Sequence, residues 1–228
     1  MQKSPQGFNM ATSQKKILII DYKLGNLFSV NQALTNIGLN VRITSNANEI
    51  KSADAIVLPG VGAFSHAMNN LRGLNLINPI KRSIDSGKPF LGICLGLQLL
   101  FSESEEFGLT KGIGLAKGTV KRFNNNNRDG DTRKVPQIGW NRIHKINGIS
   151  WKNTPLCDIK EGEFMYFVHS FFVEPEEPVG LSQTNYDGQN YVSSIQKDNL
   201  FACQFHPEKS AQEGLKIYNT WAKINNLK

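Results

Sequence analysis

A cysteine sits between two glycines in Gly92-Ile93-Cys94-Leu95-Gly96, where one apolar run ends and another begins. The form G-x-C-x-G is that of a nucleophile elbow with Cys in the Ser position. Such a nucleophile rides on a strained strand-to-helix turn. The flanking glycines avoid side chains that would strike the neighbouring strand and helix. A thiol at a helix N-terminus also gains from the helix dipole, which favours the thiolate by ~0.3–1 kcal/mol, up to ~2 when partly buried. That matters because a free thiol with a pKa near ~8.5 is little ionised at neutral pH. The plainer alternative for Cys94 is a small buried core residue, which most free cysteines are. Cys157 and Cys203 are read as core residues.

A cysteine nucleophile needs a base, and the chain offers His66, His144, His169 and His206. His66 follows a Gly-rich turn on a helix and reads as a surface residue. His144 lies in a basic, polar stretch and reads as exposed. His206 is the best candidate: it ends an apolar strand and is followed by Pro207, which fixes the local backbone. Two residues on stands Glu208. A carboxylate at that spacing can accept from the imidazole's other nitrogen and hold its tautomer.

The pattern around these residues is that of an α/β chain. Ile17–Asp21 is a continuous apolar run, as in a parallel strand covered on both faces. Leu27–Ile37 has helical spacing, with Leu27, Val30, Leu34 and Ile37 on one face and Gly38 as C-cap. Strands are expected over Asn40–Ser45, Ala55–Leu58 and Pro89–Ile93. Helices are expected over Asn48–Ala53, over Phe64 to about Ser86 with breaks near Gly73 and Pro79, and over Leu95–Ser102. This alternation predicts a parallel sheet with helices on both faces. Its sites form beyond the carboxyl ends of the strands, where Pro59-Gly60-Val61-Gly62 and the elbow both fall. The second half is richer in strands: Gly118–Phe123, Ile138–His144, Met165–Val173, Leu181–Thr184, Tyr191–Gln196 and Leu200–Gln204. These are expected to extend the sheet antiparallel, before a closing helix over Ser210–Asn225. No linker or repeat divides the chain, so a single domain over 15–228 is expected. Met1–Gln14 is polar, lacks the apolar segment of a secretory signal and reads as a disordered tail.

At 228 residues and 39% hydrophobic content, about 70% of the chain's surface can be buried on folding. The longest apolar runs are far short of the ~20 residues that span a bilayer, so no membrane partner is expected. The 26 basic and 19 acidic residues leave a net charge of +7, which invites a nucleic-acid reading. The plainer reading is an enzyme with scattered lysines. The densest basic stretch, Lys111–Lys134, also carries Asn124 to Asn127, Asp129-Gly130 and Asp131, and reads as a solvated loop or hairpin region. Three cysteines without a CxxC pair suggest neither a zinc site nor a disulfide framework, hence a reducing compartment.

Gly92-Ile93-Cys94-Leu95-Gly96-Leu97-Gln98 and Gln204-Phe205-His206-Pro207-Glu208-Lys209-Ser210, with Pro59-Gly60-Val61-Gly62-Ala63-Phe64 upstream, resemble the class I glutamine amidotransferases. Asp21-Tyr22-Lys23-Leu24-Gly25-Asn26-Leu27, Lys134 to Asn141 and Tyr166-Phe167-Val168-His169-Ser170 narrow the resemblance to the glutaminase subunits of imidazole glycerol phosphate synthases. It covers about Lys15 to the C-terminus. It departs at Lys23, where that family usually has Gly, and at Gln137, often His. A paralogous branch, which supplies ammonia for amidating surface-polysaccharide sugars, shares most of these motifs. Ser102 to Gly108 and Leu200 to Gln204 look somewhat like that branch.

The resemblance implies a fold of the class I amidotransferase type and hydrolysis of glutamine by a Cys94, His206 and Glu208 triad, with no cofactor or metal. Oxyanion donors would be the Leu95 N–H and the Gly60-Val61 peptide region. Gly62, Gln98, Glu106, His169 and Ser170 would hold the substrate's α-amino and α-carboxylate groups. For Gln98 the plainer reading is a polar helix position one turn after Cys94, and for His169 a half-buried strand histidine. The implied partner is a (β/α)₈-barrel cyclase subunit in the cytoplasm, faced by Asn26, Tyr166 and Lys209. Two rivals share the scaffold: a stand-alone γ-glutamyl hydrolase and a non-catalytic binding module.

Overall fold

The computed structural model describes residues 14–126 and 132–228. The tail reading, apart from Gln14, lies outside the described residues, as do Asn127, Asp129, Gly130 and Asp131 of the basic stretch.

The chain opens with β1 (Lys16–Ile20), α1 (Leu27–Asn36), β2 (Asn40–Thr44), α2 (Ala47–Ile50) and β3 (Ala55–Gly60). It continues through α3 (Phe64–Gly73), α4 (Ile77–Asp85), β4 (Phe90–Cys94) and the single turn α5 (Leu95–Gln98). Two-residue strands β5 (Glu103–Ser104) and β6 (Thr110–Lys111) precede β7 (Gly118–Arg122), β8 (Gln137–Lys145), β9 (Glu163–His169) and β10 (Phe171–Pro175). Then come β11 (Gly180–Tyr186), β12 (Gln189–Lys197), β13 (Leu200–Cys203), a 3-10 turn over Pro207–Lys209 and α6 (Ala211–Ile224).

The sheet runs β2-β1-β3-β4-β13-β12-β10-β7-β5-β6, with β11, β8 and β9 branching from β12. The five strands from β2 to β13 are parallel, and β12, β10 and β7 continue antiparallel. The expected architecture is therefore present. Its cause is visible in β1, buried along Ile17–Ile20. Ile17 and Ile19 pack on one face with Val30 and Leu34 of α1 and Ile217 and Trp221 of α6. Leu18 and Ile20 pack on the other with Phe64, Met68, Ile80 and Leu95. A strand covered on both sides has no polar face to alternate with, which is why its sequence is continuously apolar.

Several boundaries differ from the sequence reading. The helix after Cys94 stops at Gln98 rather than Ser102, giving way to tight turns through Leu100 and Phe101. Met165–Val173 is not one strand. β9 pairs with β8, β10 pairs with β7, and the chain changes partner at Ser170, whose carbonyl accepts from the Phe123 N–H. The break after α3 falls at Leu74–Leu76, and Pro79 lies inside the first turn of α4, where its missing N–H costs no helical bond. Cys203 is fully buried, but Cys157 is exposed, because Thr154–Ile159 is a turn segment with Cys157 on its outer side. His66 is exposed as expected; His144, on β8, is half-buried rather than exposed. Arg133, in the stretch expected to be solvated, is buried and donates to the carbonyls of Asn124 and Asp187.

Register sets the site. Gly60 pairs with Cys94 across β3 and β4, and Cys203 pairs with Ile93 across β13 and β4. The Gly60 segment, the cysteine and the chain leading to His206 thus emerge side by side at the carboxyl ends of adjacent parallel strands.

Candidate active site

Cys94 has φ 55° and ψ −110°, a strained conformation for a side-chain-bearing residue. The neighbours explain how it is held. A Cβ on Gly96 would lie 1.8 Å from the Leu58 carbonyl oxygen, and one on Gly92 would lie 2.9 Å from Ala202 Cβ. Only glycine lets β4 turn this sharply into α5 against β3 and β13.

The strand β13 and the chain beyond it bring the partners in. His206 Nδ1 lies 2.7 Å from Glu208 Oε1, with both side chains buried. Glu208 Oε2 accepts from the Tyr218 hydroxyl at 3.1 Å, so α6 anchors the carboxylate from behind. The Ser210 hydroxyl donates to the His206 carbonyl at 2.7 Å and fixes the turn. His206 Nε2 is buried and faces Cys94 without a hydrogen bond of full geometry. Such bonds often tighten only with substrate present. Burial disfavours the imidazolium. The negative charge of Cys94 and the Glu208 carboxylate outweigh that and push the His206 pKa up to about 10.

Cys94 borders a cavity of about 430 Å³. Val61, Gly62, Leu95, Gln98, Glu106, His169, Ser170 and Lys209 line it as well. Gly60 is buried, and neither it nor Asn26 nor Tyr166 lines the cavity. Several of these residues also have structural work. Gln98 Nε2 donates to the Phe171 carbonyl at 2.8 Å and to Gln204 Oε1 at 2.9 Å. Glu106 Oε2 accepts from the Phe64 N–H at 2.6 Å, capping α3, whose own cap residue Ala63 has no side-chain acceptor. Asn26 caps α1 through the Ser29 N–H. Lys209 Nζ sits 5.6 Å from the Tyr166 ring centroid, and Trp140 packs edge-on against the same ring at the surface. Lys23 is exposed at φ 70°, the left-handed conformation that a glycine adopts without strain.

Two contacts were missed by sequence reasoning. Gln204 Nε2 donates to Cys94 Sγ at 3.6 Å, and Tyr218 steadies Glu208. Gln204 stands two residues before His206 in the same motif. Tyr218 carried no signal, because it reads as part of the apolar face of α6.

His169 is buried, not half-buried. Its Nδ1 lies 2.8 Å from the Phe171 carbonyl and its Nε2 3.3 Å from the Tyr191 hydroxyl. Burial lowers its pKa to about 3, so the ring stays neutral. The unfolded chain takes up this proton near pH ~6.5, the folded chain only near 3. Between these values the unfolded state binds more protons, so this contribution to stability is lost as pH falls. The expected loss between pH 7 and 5 is about 2 kcal/mol. Urea unfolding at both pH values checks it, and His169→Asn is expected to remove that part of the slope.

The sequence profile described as Glutamine amidotransferase class-I matches residues 18–221. The chain belongs to the class-I glutamine amidotransferases. Among curated members of this family, the chain is 45% identical over 210 residues to imidazole glycerol phosphate synthase subunit HisH 1 of Legionella pneumophila (strain Lens), covering 91% of this chain and 99% of that one. It is 47% identical over 210 residues to imidazole glycerol phosphate synthase subunit HisH of Aquifex aeolicus (strain VF5), covering 91% and 96%. A solved structure with the same fold is PurLQS from Thermotoga maritima, at 18% identity, TM-score 0.67 and coverage of 92% and 98%. As an amidotransferase of this class, the chain acts on glutamine.

Proposed function

We propose that the chain is the glutaminase subunit of an imidazole glycerol phosphate synthase, with Cys94, His206 and Glu208 as its catalytic residues. The observation that carries the catalytic part is the strained Cys94 bordering the cavity, backed by the buried His206–Glu208 pair. The relatives' names carry the pathway.

Cys94 Sγ attacks the side-chain carboxamide carbon of glutamine. The N–H groups of Leu95 and Val61 take the developing oxyanion. His206 hands its proton to the amide nitrogen, which leaves as ammonia and breaks the C–N bond. Water then attacks the γ-glutamyl thioester with His206 as base, releasing glutamate and the thiol. Glu208 holds the His206 Nδ1–H throughout. Gly62, Gln98, Glu106, His169 and Ser170 surround the α-amino and α-carboxylate groups. Gln98 and Glu106 hold their shape through the bonds described above.

Ammonia in neutral water is mostly protonated and not nucleophilic. Direct passage to a cyclase subunit, a (β/α)₈ barrel in the cytoplasm, keeps it reactive. Asn26, Tyr166 and Lys209 face that partner, together with the exposed Ile138 and Trp140 of β8. The single unit 15–228 carries the glutaminase, and the synthase chemistry lies on the other polypeptide. Among the described residues no helix is long and apolar enough to cross a membrane.

The test is ammonia release from glutamine by the chain alone and with the cyclase subunit and its ligand. Release is expected to rise at least tenfold in the complex. A rate unchanged by the cyclase subunit would overturn the assignment to this synthase.

A further inference from the structure

Tyr22 is wholly buried, yet its hydroxyl has no hydrogen-bond partner. Buried polar groups are nearly always paired, so an orphan in a native core calls for an explanation. This one points at the segment that the mechanism uses. A Cβ on Gly60 would lie 2.0 Å from Tyr22 Oη, 3.0 Å from Leu95 Cβ and 3.3 Å from the Gly96 nitrogen. The phenol is therefore wedged where β3 ends against the start of α5, beside the Gly60–Val61 peptide.

The turn after β1 is built to hold it there. The Asp21 carboxylate accepts from the Lys23 N–H at 2.8 Å. Asn70 of α3 donates to the Tyr22 carbonyl at 2.9 Å. Lys23 at φ 70° and Gly25 at φ 134° then turn the chain away. The ring packs among Leu58, Phe64 and Leu95, so an apolar side chain would serve the core equally well. The hydroxyl is what packing does not account for.

We propose that Tyr22 is a positioning residue for glutamine hydrolysis: its hydroxyl donates to the Gly60 carbonyl when the Gly60–Val61 peptide presents its N–H to the oxyanion on Cys94. The proposal rests on the glutaminase reading above. The phenol stays protonated, because burial and the nearby Cys94 charge both raise its pKa. It forms no bond to substrate; it steadies the peptide that does.

The experiment is Tyr22→Phe, assayed as the complex with the cyclase subunit. A direct oxyanion donor is worth ~10²–10³ in kcat, and support of one donor is expected to be worth about tenfold. The expected result is a roughly tenfold lower kcat for glutamine, with KM within about twofold of the parent. Alkylation of Cys94 by iodoacetamide, which generates no oxyanion, is expected to keep its rate. A kcat within twofold of the parent overturns the proposal. So does an equal slowing of hydrolysis and alkylation, which would mean that Tyr22 supports Cys94 or the fold instead. Cys94→Ala in the same assay separates the two readings. If it retains glutaminase activity, the catalytic assignment fails. If it is inactive while Tyr22→Phe is unimpaired, only the role of Tyr22 fails.

Discussion

Cys94→Ala is expected to lower kcat for glutamine hydrolysis by on the order of 10⁴–10⁶, with the fold intact. Cys94 is the thiol that borders the cavity, held on the strained turn next to the buried His206–Glu208 pair. Gln98, His169 and Gln204 are committed to hydrogen bonds within the protein. Such a loss corresponds to at least about 5 kcal/mol of transition-state stabilisation. The structural cost is small by comparison. One buried sulfur is removed, worth about 1 kcal/mol, and alanine occupies the same backbone. His206 changes more. The Cys94 charge is the largest influence raising its pKa, so the variant's imidazole is expected to lose its proton at a lower pH. Ammonia release and a thermal melt, measured together, separate lost chemistry from lost structure.

Gly96→Ala is expected to destabilise the protein by more than about 3 kcal/mol, beyond the usual range for overpacking. The added methyl would meet a backbone carbonyl, Leu58 O, at 1.8 Å. A side chain can swing aside; a β3 carbonyl cannot move without disturbing the strand that carries Gly60. Against a typical total of about 5–15 kcal/mol, the loss is severe. Gly73→Ala is the matched control. It ends α3 with open space around it, and alanine there is expected to be neutral or stabilising by up to about 1 kcal/mol. Urea unfolding of both variants checks the contrast. Similar midpoints would mean that the elbow yields more easily than its geometry implies.

The parts legible in the sequence share one property: their chemistry is local in the chain. Gly92, Cys94 and Gly96 are two residues apart, and the strand-to-helix turn that they permit is formed there. His206, Pro207 and Glu208 are likewise contiguous, and the 2.7 Å contact follows from that spacing. β1 was legible because burial on both faces leaves an unbroken apolar run.

What could not be read depends on contacts distant in sequence. Ser170 divides an apolar run only because β9 and β10 pair with different strands. Tyr218 reads as core until α6 brings it to Glu208. Tyr22 stands in a turn after β1, and nothing in that turn shows that β3 brings Gly60 against its hydroxyl. Cys157 lies in an irregular segment, where no periodicity marks a buried face. Glu106 has no helix-cap signature, because the helix that it caps begins more than forty residues earlier.

The central claim is that glutamine is attacked by Cys94. Its most direct test is labelling with an electrophilic glutamine analogue that carries a diazo ketone in place of the carboxamide. Peptide mapping then locates the adduct, with and without competing glutamine. Cys157 is the exposed thiol and the natural target of an unselective reagent, whereas Cys94 is buried at the cavity. The expected result is a single adduct on Cys94, suppressed by glutamine. An adduct confined to Cys157, or one on Cys94 that glutamine does not suppress, would contradict the account.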